Sequence, residues 1–66
     1  MNVTVNGEKR SLDAGATVAS LLAELDLKPE ATVVQRNDDV LERTRYGEVE
    51  LRDGDVLELV RFVGGG

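Results

Sequence analysis

Three glycines, Gly64, Gly65 and Gly66, end this sequence of 66 residues, and the best candidate for a reactive group is the α-carboxylate of Gly66. Glycine has no Cβ and loses the most backbone entropy on ordering, so such a segment resists packing. We therefore predict a flexible tail over residues 64–66, beyond a folded domain of residues 1–63. Taken alone, a glycine-rich end is more often an inert, frayed tail.

The side chains offer no comparable chemistry. The sequence contains no cysteine and no histidine, so it has no thiolate nucleophile, no cysteine-based metal site and no imidazole to act as acid or base near pH 7. Ser11 and Ser20 have no histidine to activate them. Asp53 and Asp55 are too few oxygen ligands for a calcium loop and indicate a turn instead. We expect no catalytic side chains, no metal and no bound cofactor.

Composition and charge narrow the class of protein. A chain of 66 residues with 41% hydrophobic residues is predicted to fold as one small domain with little room for an enclosed cavity. Its net charge of −5 disfavours binding to nucleic acid, and it suits either solubility or a partner with a basic docking face. We expect no export leader, no membrane segment and a cytoplasmic location.

Two strands joined by a tight turn are predicted first. Residues 1–5 alternate apolar and polar, which places Val3 and Val5 on one face. Asn6-Gly7 is the strongest short signal for a hairpin, because a type I′ turn needs positive φ at both positions. Residues 8–12 are mostly polar and are predicted to return as an edge strand.

An amphipathic helix follows this hairpin. Thr17 suits the N-cap position. Apolar residues then recur at helical spacing, and together with Val3 and Val5 we expect them in the core: Val18, Leu21, Leu22 and Leu25. Pro29 disfavours helical geometry at the residue before it, so the helix is expected to end near Asp26. The outer face of the helix lacks lysine and arginine, which favours packing on a sheet over membrane binding.

The remainder is predicted as short strands and turns. A third strand covers residues 31–37, and its alternation leaves open whether Val33 or Val34 points inward. Further along, the pattern predicts a turn over residues 37–39, a short apolar piece over 40–41 and a polar, irregular stretch over 42–47. A weakly alternating stretch over 48–51, a second turn over 52–55 and a final strand over 56–62 follow. One helix among several short strands indicates an α+β roll.

The final strand, which leads into the glycine tail, is predicted to have one buried and one exposed side. Leu57 and Leu59 share one side of the strand and are expected in the core. Glu58, Val60 and Phe62 share the other side and are expected to be exposed, and an exposed aromatic residue favours a protein partner. We predict that Val60 and Phe62 dock a partner, with Glu58 aiding the approach to a basic surface.

Four features resemble the ubiquitin-like sulfur carriers of the ThiS/MoaD family, most closely its ThiS branch. In chain order they are Asn6-Gly7, the helix TVASLLAEL, the stretch RDGDVLELV and the ending RFVGGG. The resemblance covers nearly the whole chain. It implies a β-grasp fold, an α+β arrangement in which a mixed sheet carries one main helix on one face and the first and last strands lie adjacent and parallel in its middle.

The resemblance also implies a function, that of a sulfur carrier without catalytic side chains of its own. A ThiF-like adenylating enzyme would activate Gly66 with ATP, and a cysteine desulfurase would supply sulfur. The resulting thiocarboxylate would donate that sulfur to a ThiG-like thiazole synthase in thiamine biosynthesis. Gly64 and Gly65 would be required because the tail must pass through a narrow channel, where a Cβ would collide.

Three alternatives to this function stay open. The chain is also compatible with the small subunit of molybdopterin synthase (MoaD-like), with a ubiquitin-like protein modifier, and with an interaction domain whose tail is inert.

Overall fold

A computed structural model describes residues 1–62 of the chain. These residues form five strands, one α-helix and two short 3₁₀ helices. In chain order the elements are β1 (Asn2–Val5), β2 (Glu8–Ser11), α1 (Val18–Glu24), the first 3₁₀ helix (Pro29–Ala31), β3 (Thr32–Arg36), β4 (Asp39–Val40), the second 3₁₀ helix (Arg43–Arg45) and β5 (Val56–Arg61).

The strands form one mixed sheet in the order β2-β1-β5-β3-β4. β1 and β5 are adjacent and parallel, with Thr4 beside Val56 and Val5 beside Leu57. The other neighbouring pairs are antiparallel. The apolar side of α1 packs against one face of this sheet. The predicted α+β class and the β-grasp arrangement implied by the resemblance are both confirmed.

The turn between β1 and β2 has the predicted conformation. Asn6 and Gly7 adopt φ values of 50° and 84°, the positive values that a type I′ turn requires. Val3 and Val5 are buried while β2 is largely exposed, as expected for an edge strand.

Helix α1 has a complete set of partners for its first backbone N–H groups. The Thr17 hydroxyl accepts from the N–H of Ser20 at 3.1 Å, and the Ser20 hydroxyl accepts from the N–H of Thr17 at 2.8 Å, which makes a capping box. The N–H groups of Val18 and Ala19 donate to carbonyl oxygens of the segment 46–49, and that of Leu21 donates to Thr17. No orphan donor is left at this helix start.

The C-terminal end of α1 lies slightly before its predicted position. The last helical residue is Glu24 and Leu25 is the C-cap. Asp26, with φ of 59°, then turns the chain away. Leu25 was expected in the core, but it is less buried than expected. Because Leu25 lies outside the helix, its side chain is only partly buried and packs at the edge of the core.

The core joins the helix to the inner face of the sheet. The expected residues Val3, Val5, Val18, Leu21, Leu22, Leu57 and Leu59 are all buried. Val34 is fully buried and Val33 is not, which resolves the inward side of β3. Four further residues complete the core: Leu12, Tyr46, Val49 and Leu51.

The stretch 42–51 is more ordered than its sequence indicates. Tyr46 is buried, and its hydroxyl donates to the carbonyl oxygen of Thr32 at 2.8 Å. Glu50 forms a single antiparallel bridge with Thr17. The stretch therefore closes the side of the core beside the start of α1. Its regular structure consists of one isolated β-bridge and the short second 3₁₀ helix.

Asp55 fixes the turn that leads into β5. Its carboxylate accepts hydrogen bonds from the N–H of Arg52 at 2.8 Å, the amide of Asn37 at 3.0 Å and the guanidinium of Arg36 at 3.0 Å. Burial by itself raises the pKa of Asp55, but these hydrogen bonds and the Arg36 charge outweigh it, so the pKa lies below its usual value of 3.8. The ionised carboxylate holds the end of β3 to the start of β5.

We expect Leu22→Ala to lower the free energy of unfolding by about 2–5 kcal/mol, because the fully buried side chain leaves a cavity. Urea denaturation followed by circular dichroism measures this loss. Glu24→Ala is the control, since it changes an exposed residue of the same helix and should shift stability by less than about 0.5 kcal/mol. Equal losses in the two variants would contradict the position of Leu22 in the core.

Asp55→Asn should remove a pH-dependent part of the stability. Because folding lowers the pKa of Asp55, its ionised form contributes stability above the pKa of the unfolded chain. That contribution disappears as the pH falls through the lower pKa of the folded state. The stability difference between wild type and Asp55→Asn should therefore be constant from pH 7 to about pH 5 and shrink toward pH 3. A difference that grows as the pH falls would contradict this sign.

Candidate functional site

The alternation of β5 separates a buried from an exposed side, as the sequence predicts. Leu57 and Leu59 lie in the core. Glu58, Val60 and Phe62 are exposed on the face of the sheet opposite α1, with 56% of Val60 and 64% of Phe62 accessible. Their predicted exposure is confirmed, and their role in docking stays a prediction.

Neighbouring strands extend this exposed surface with further apolar residues. Val33 lies directly opposite Val60, and Gln35 lies opposite both Glu58 and Val40. Since Val34 points inward, Val33 and its register partners point outward. We call the surface of Val33, Val40, Val60 and Phe62 the outer patch. Val33 and Val40 could not be assigned to this surface from the sequence, because their place in it depends on the register between strands.

An open groove of about 220 Å³ runs along this outer patch. Its apolar sides include Val33, Val40 and Phe62 of the patch together with Pro29. Arg43 lies at the same groove and donates to the carbonyl oxygen of Glu30 at 3.2 Å, which ties the two 3₁₀ helices together. The groove can accept an apolar side chain of a partner, and its polar margin carries one base and one acid.

On the exposed side of β5, the charged residue is Glu58. Glu58 is exposed between Val56 and Val60 on the same side of the strand. Its neighbour across the sheet is the uncharged Gln35. A carboxylate beside an apolar patch suits a partner surface that combines apolar groups with a lysine or arginine.

The backbone of β5 is held in place up to the limit of the described residues. Thr32 pairs with Arg61, and the N–H of Phe62 donates to the carbonyl oxygen of Ala31 at 2.8 Å. On the other side of the strand, the Asn6 carboxamide accepts from the N–H of Leu59 at 2.7 Å and donates to its carbonyl oxygen at 3.3 Å. The sequence indicated Asn6 only as a turn residue.

The predicted tail residues Gly64, Gly65 and Gly66 lie outside the described residues. The same holds for the predicted boundary between a domain of residues 1–63 and a flexible tail of residues 64–66. The role of the three glycines and the position of this boundary therefore stay predictions.

The described residues hold few groups that suggest side-chain chemistry. Within residues 1–62 there is no group of three or more histidine, cysteine, aspartate or glutamate side chains that could hold a metal ion. Asp53 and Asp55 both serve the turn, Asp53 by accepting from the N–H of Asn2 at 2.7 Å. In this part of the chain, no helix combines the length and the hydrophobicity needed to cross a membrane.

Comparison with known proteins gives the family. The model of the ThiS family matches residues 3–66. The chain belongs to the ThiS family. It is 45% identical over 64 residues to the sulfur carrier protein ThiS of Bacillus subtilis, and this match covers 94% of the chain and 96% of the relative.

A solved structure from the family has the same architecture. The crystal structure of the thiamine biosynthesis protein ThiS from Geobacter metallireducens superposes with a TM-score of 0.83 at 38% identity, over 100% of both chains. This superposition independently supports the β-grasp fold.

A longer relative contains a region similar to this chain. The thiazole synthase of Paramagnetospirillum magneticum is 41% identical over 66 residues, which is 100% of the chain but only 20% of that relative. The chain thus spans about a fifth of the length of this relative.

Proposed function

We propose that this chain is a sulfur carrier of thiamine biosynthesis and that Gly66 bears the sulfur as a thiocarboxylate. The observation that carries the proposal is the match of the ThiS family over residues 3–66, which includes all three terminal glycines. The relatives named sulfur carrier protein ThiS, among them that of Bacillus subtilis, support the same function.

The first chemical step activates a poor electrophile. A carboxylate resists substitution because an oxide ion is a poor leaving group. In the proposed step, one carboxylate oxygen of Gly66 bonds to the α-phosphorus of ATP as pyrophosphate leaves. In this proposal a ThiF-like adenylating enzyme binds ATP and supplies the catalytic groups, and the carrier supplies the carboxylate of Gly66.

The second step exchanges oxygen for sulfur. A cysteine desulfurase takes sulfur from cysteine as an enzyme persulfide, and the terminal sulfur of this persulfide bonds to the carbonyl carbon of Gly66 as the bond to AMP breaks. A thiol then attacks the inner sulfur, which breaks the S–S bond, forms a disulfide and leaves the terminal sulfur on Gly66. The product is a thiocarboxylate and AMP. The thiocarboxylate sulfur is a soft nucleophile, which suits delivery to an enzyme that builds a sulfur-containing ring.

The proposed acceptor of the sulfur is a thiazole synthase. A region similar to this chain within the thiazole synthase of Paramagnetospirillum magneticum supports this pairing, because segments joined in one polypeptide commonly act on the same reaction. The family match favours this pathway over the small subunit of molybdopterin synthase and over a protein modifier.

The outer patch is the proposed docking surface for the adenylating enzyme. Val60 and Phe62 offer exposed apolar area six and four residues before Gly66, so docking there brings the tail to the ATP site of the partner. Exposed aromatic residues are common sources of binding energy at protein interfaces. Glu58 adds a charge that speeds the approach to a basic surface.

Phe62→Ala should weaken activation and leave the fold intact. Because 64% of Phe62 is exposed, the free energy of unfolding should change by less than about 0.5 kcal/mol. The KM of the carrier in ATP-dependent pyrophosphate release by a ThiF-like enzyme should rise by about fivefold or more. Val56→Ala is the matched control, since Val56 is exposed on the same side of the same strand but at its far end. Equal KM values for the two variants would contradict docking through the patch.

Changes to the tail should abolish sulfur acceptance without affecting the core. Deleting Gly65 and Gly66 shortens the reach of the carboxylate, and adding one alanine after Gly66 displaces it and gives it a methyl neighbour. Intact-mass analysis after incubation with a ThiF-like enzyme, ATP, a cysteine desulfurase, cysteine and a thiol reductant should show a gain of about 16 Da only for wild type, the difference between sulfur and oxygen. Urea denaturation is the control and should give the stability of wild type for both variants.

An alanine-extended protein that gains sulfur without being trimmed would contradict the proposed chemistry. Conjugates to lysine side chains in a cell extract would favour the protein modifier instead, and a wild-type chain that gains no mass would favour the inert interaction domain.

A further inference from the structure

The Asn6 side chain occupies the place where β1 would continue beside β5. The N–H of Asn6 donates to the carbonyl oxygen of Leu57 at 2.9 Å, which is the last backbone bond of this parallel pair. A strand that continued would then accept from the N–H of Leu59 and donate to its carbonyl oxygen. The Asn6 carboxamide makes both of these bonds, at 2.7 and 3.3 Å, although the main chain has already turned toward β2.

Both sides of β5 are thereby held as far as Leu59. On the β3 side, backbone pairing runs from Arg36–Leu57 to Thr32–Arg61. On the β1 side, backbone pairing covers only Val56 and Leu57, and the Asn6 carboxamide extends it to Leu59. Within residues 1–62, this pair is the last set of hydrogen bonds on the β1 side before β5 reaches Val60 and Phe62.

We propose that Asn6 is a positioning residue for the activation of Gly66. Its carboxamide fixes the direction in which β5 carries the outer patch and the tail to the adenylating enzyme, so this inference rests on the proposed function. Gly66 follows Leu59 by seven residues, a span of at most about 25 Å, and a change of direction at Leu59 is enlarged over that span. A direction that is set before docking lowers the ordering cost of binding.

The backbone and the side chain of Asn6 place different demands on this position. The φ of 50° lies in the left-handed region, which asparagine, aspartate and glycine adopt most readily. Of these three residues, asparagine alone carries both a donor and an acceptor on its side chain. Glycine keeps the turn and removes both bonds to Leu59, whereas aspartate keeps the acceptor and loses the donor. The turn and the positioning role are therefore separable by mutation.

Asn37 provides a matched control at the opposite end of β5. It also has a left-handed backbone, with φ of 49°. Its carboxamide accepts from the N–H of Val56 at 2.9 Å and donates to Asp55 at 3.0 Å. Asn37→Gly therefore makes the same chemical change and also loosens β5, but at the end of the strand far from the tail.

The test compares wild type, Asn6→Gly, Asn6→Asp and Asn37→Gly in two measurements. Amide hydrogen exchange by NMR reports on the Leu59 N–H, with Val34 as the reference for global opening. Pyrophosphate release by a ThiF-like enzyme, with ATP saturating and the carrier varied, gives KM and kcat. The loss of two hydrogen bonds predicts faster Leu59 exchange relative to Val34 and a KM about tenfold higher for Asn6→Gly. The kcat should be unchanged, because the bound enzyme then holds the tail.

Asn6→Asp should raise KM less than Asn6→Gly, and Asn37→Gly should leave KM at the wild-type value. If Asn6→Gly does not fold, Asn6→Asp tests the positioning role through the same two measurements, Leu59 N–H exchange and KM. Faster Leu59 exchange with an unchanged KM, or an equal rise in KM for Asn37→Gly, would overturn the positioning role alone. A wild-type chain that the enzyme does not activate would instead overturn the proposed function, and the role of Asn6 with it.

Discussion

The parallel pairing of β1 with β5 is the interaction on which the rest of the molecule depends. In the sheet order, the hairpin of β1 and β2 lies on one side of β5 and the pair of β3 and β4 lies on the other. β5 is therefore the link between two halves, and a two-stranded piece on its own has marginal stability in water. The helix covers both halves through Leu21 and Leu22, which are buried against the inner face of the sheet.

This arrangement places the core and the candidate site on the two sides of one strand. The inward residues Leu57 and Leu59 anchor β5, and the outward residues Val60 and Phe62 form the outer patch with β3 and β4. The patch exists only when β3 is paired with β5, since Val33 and Val60 come from different strands. A partner that recognises the patch consequently recognises the folded domain and not merely the chemical identity of its tail.

Patterns that depend on neighbouring residues were predictable from the sequence. The capping threonine and the stripe from Val18 to Leu22 define α1 within two residues, and Asn6-Gly7 defines the hairpin. The exposed and buried sides of β5 follow from simple alternation. The ThiS resemblance added the adjacent, parallel placement of the first and last strands, which local patterns alone do not specify.

Features that depend on tertiary contacts were not predictable. Tyr46 is buried because its hydroxyl finds the carbonyl oxygen of Thr32 and its ring closes the core, yet no periodicity surrounds it in the sequence. The choice between Val33 and Val34 needed the register of β3 against β5. At the site, the same register adds Val33 and Val40 to the patch, and the second role of Asn6 appears only when β5 lies beside it.

The central position of β5 also determines how the domain bears mechanical load. A partner that grips the chain beyond Phe62 and pulls along the strand axis loads the bonds to β1 and β3 in shear, since these bonds lie roughly across that axis. Five register pairs with β3, the two with β1 and the Asn6 carboxamide then share the force, whereas peeling from an edge would break them one after another. A domain held in this way can stay folded while a partner pulls on its C-terminal end.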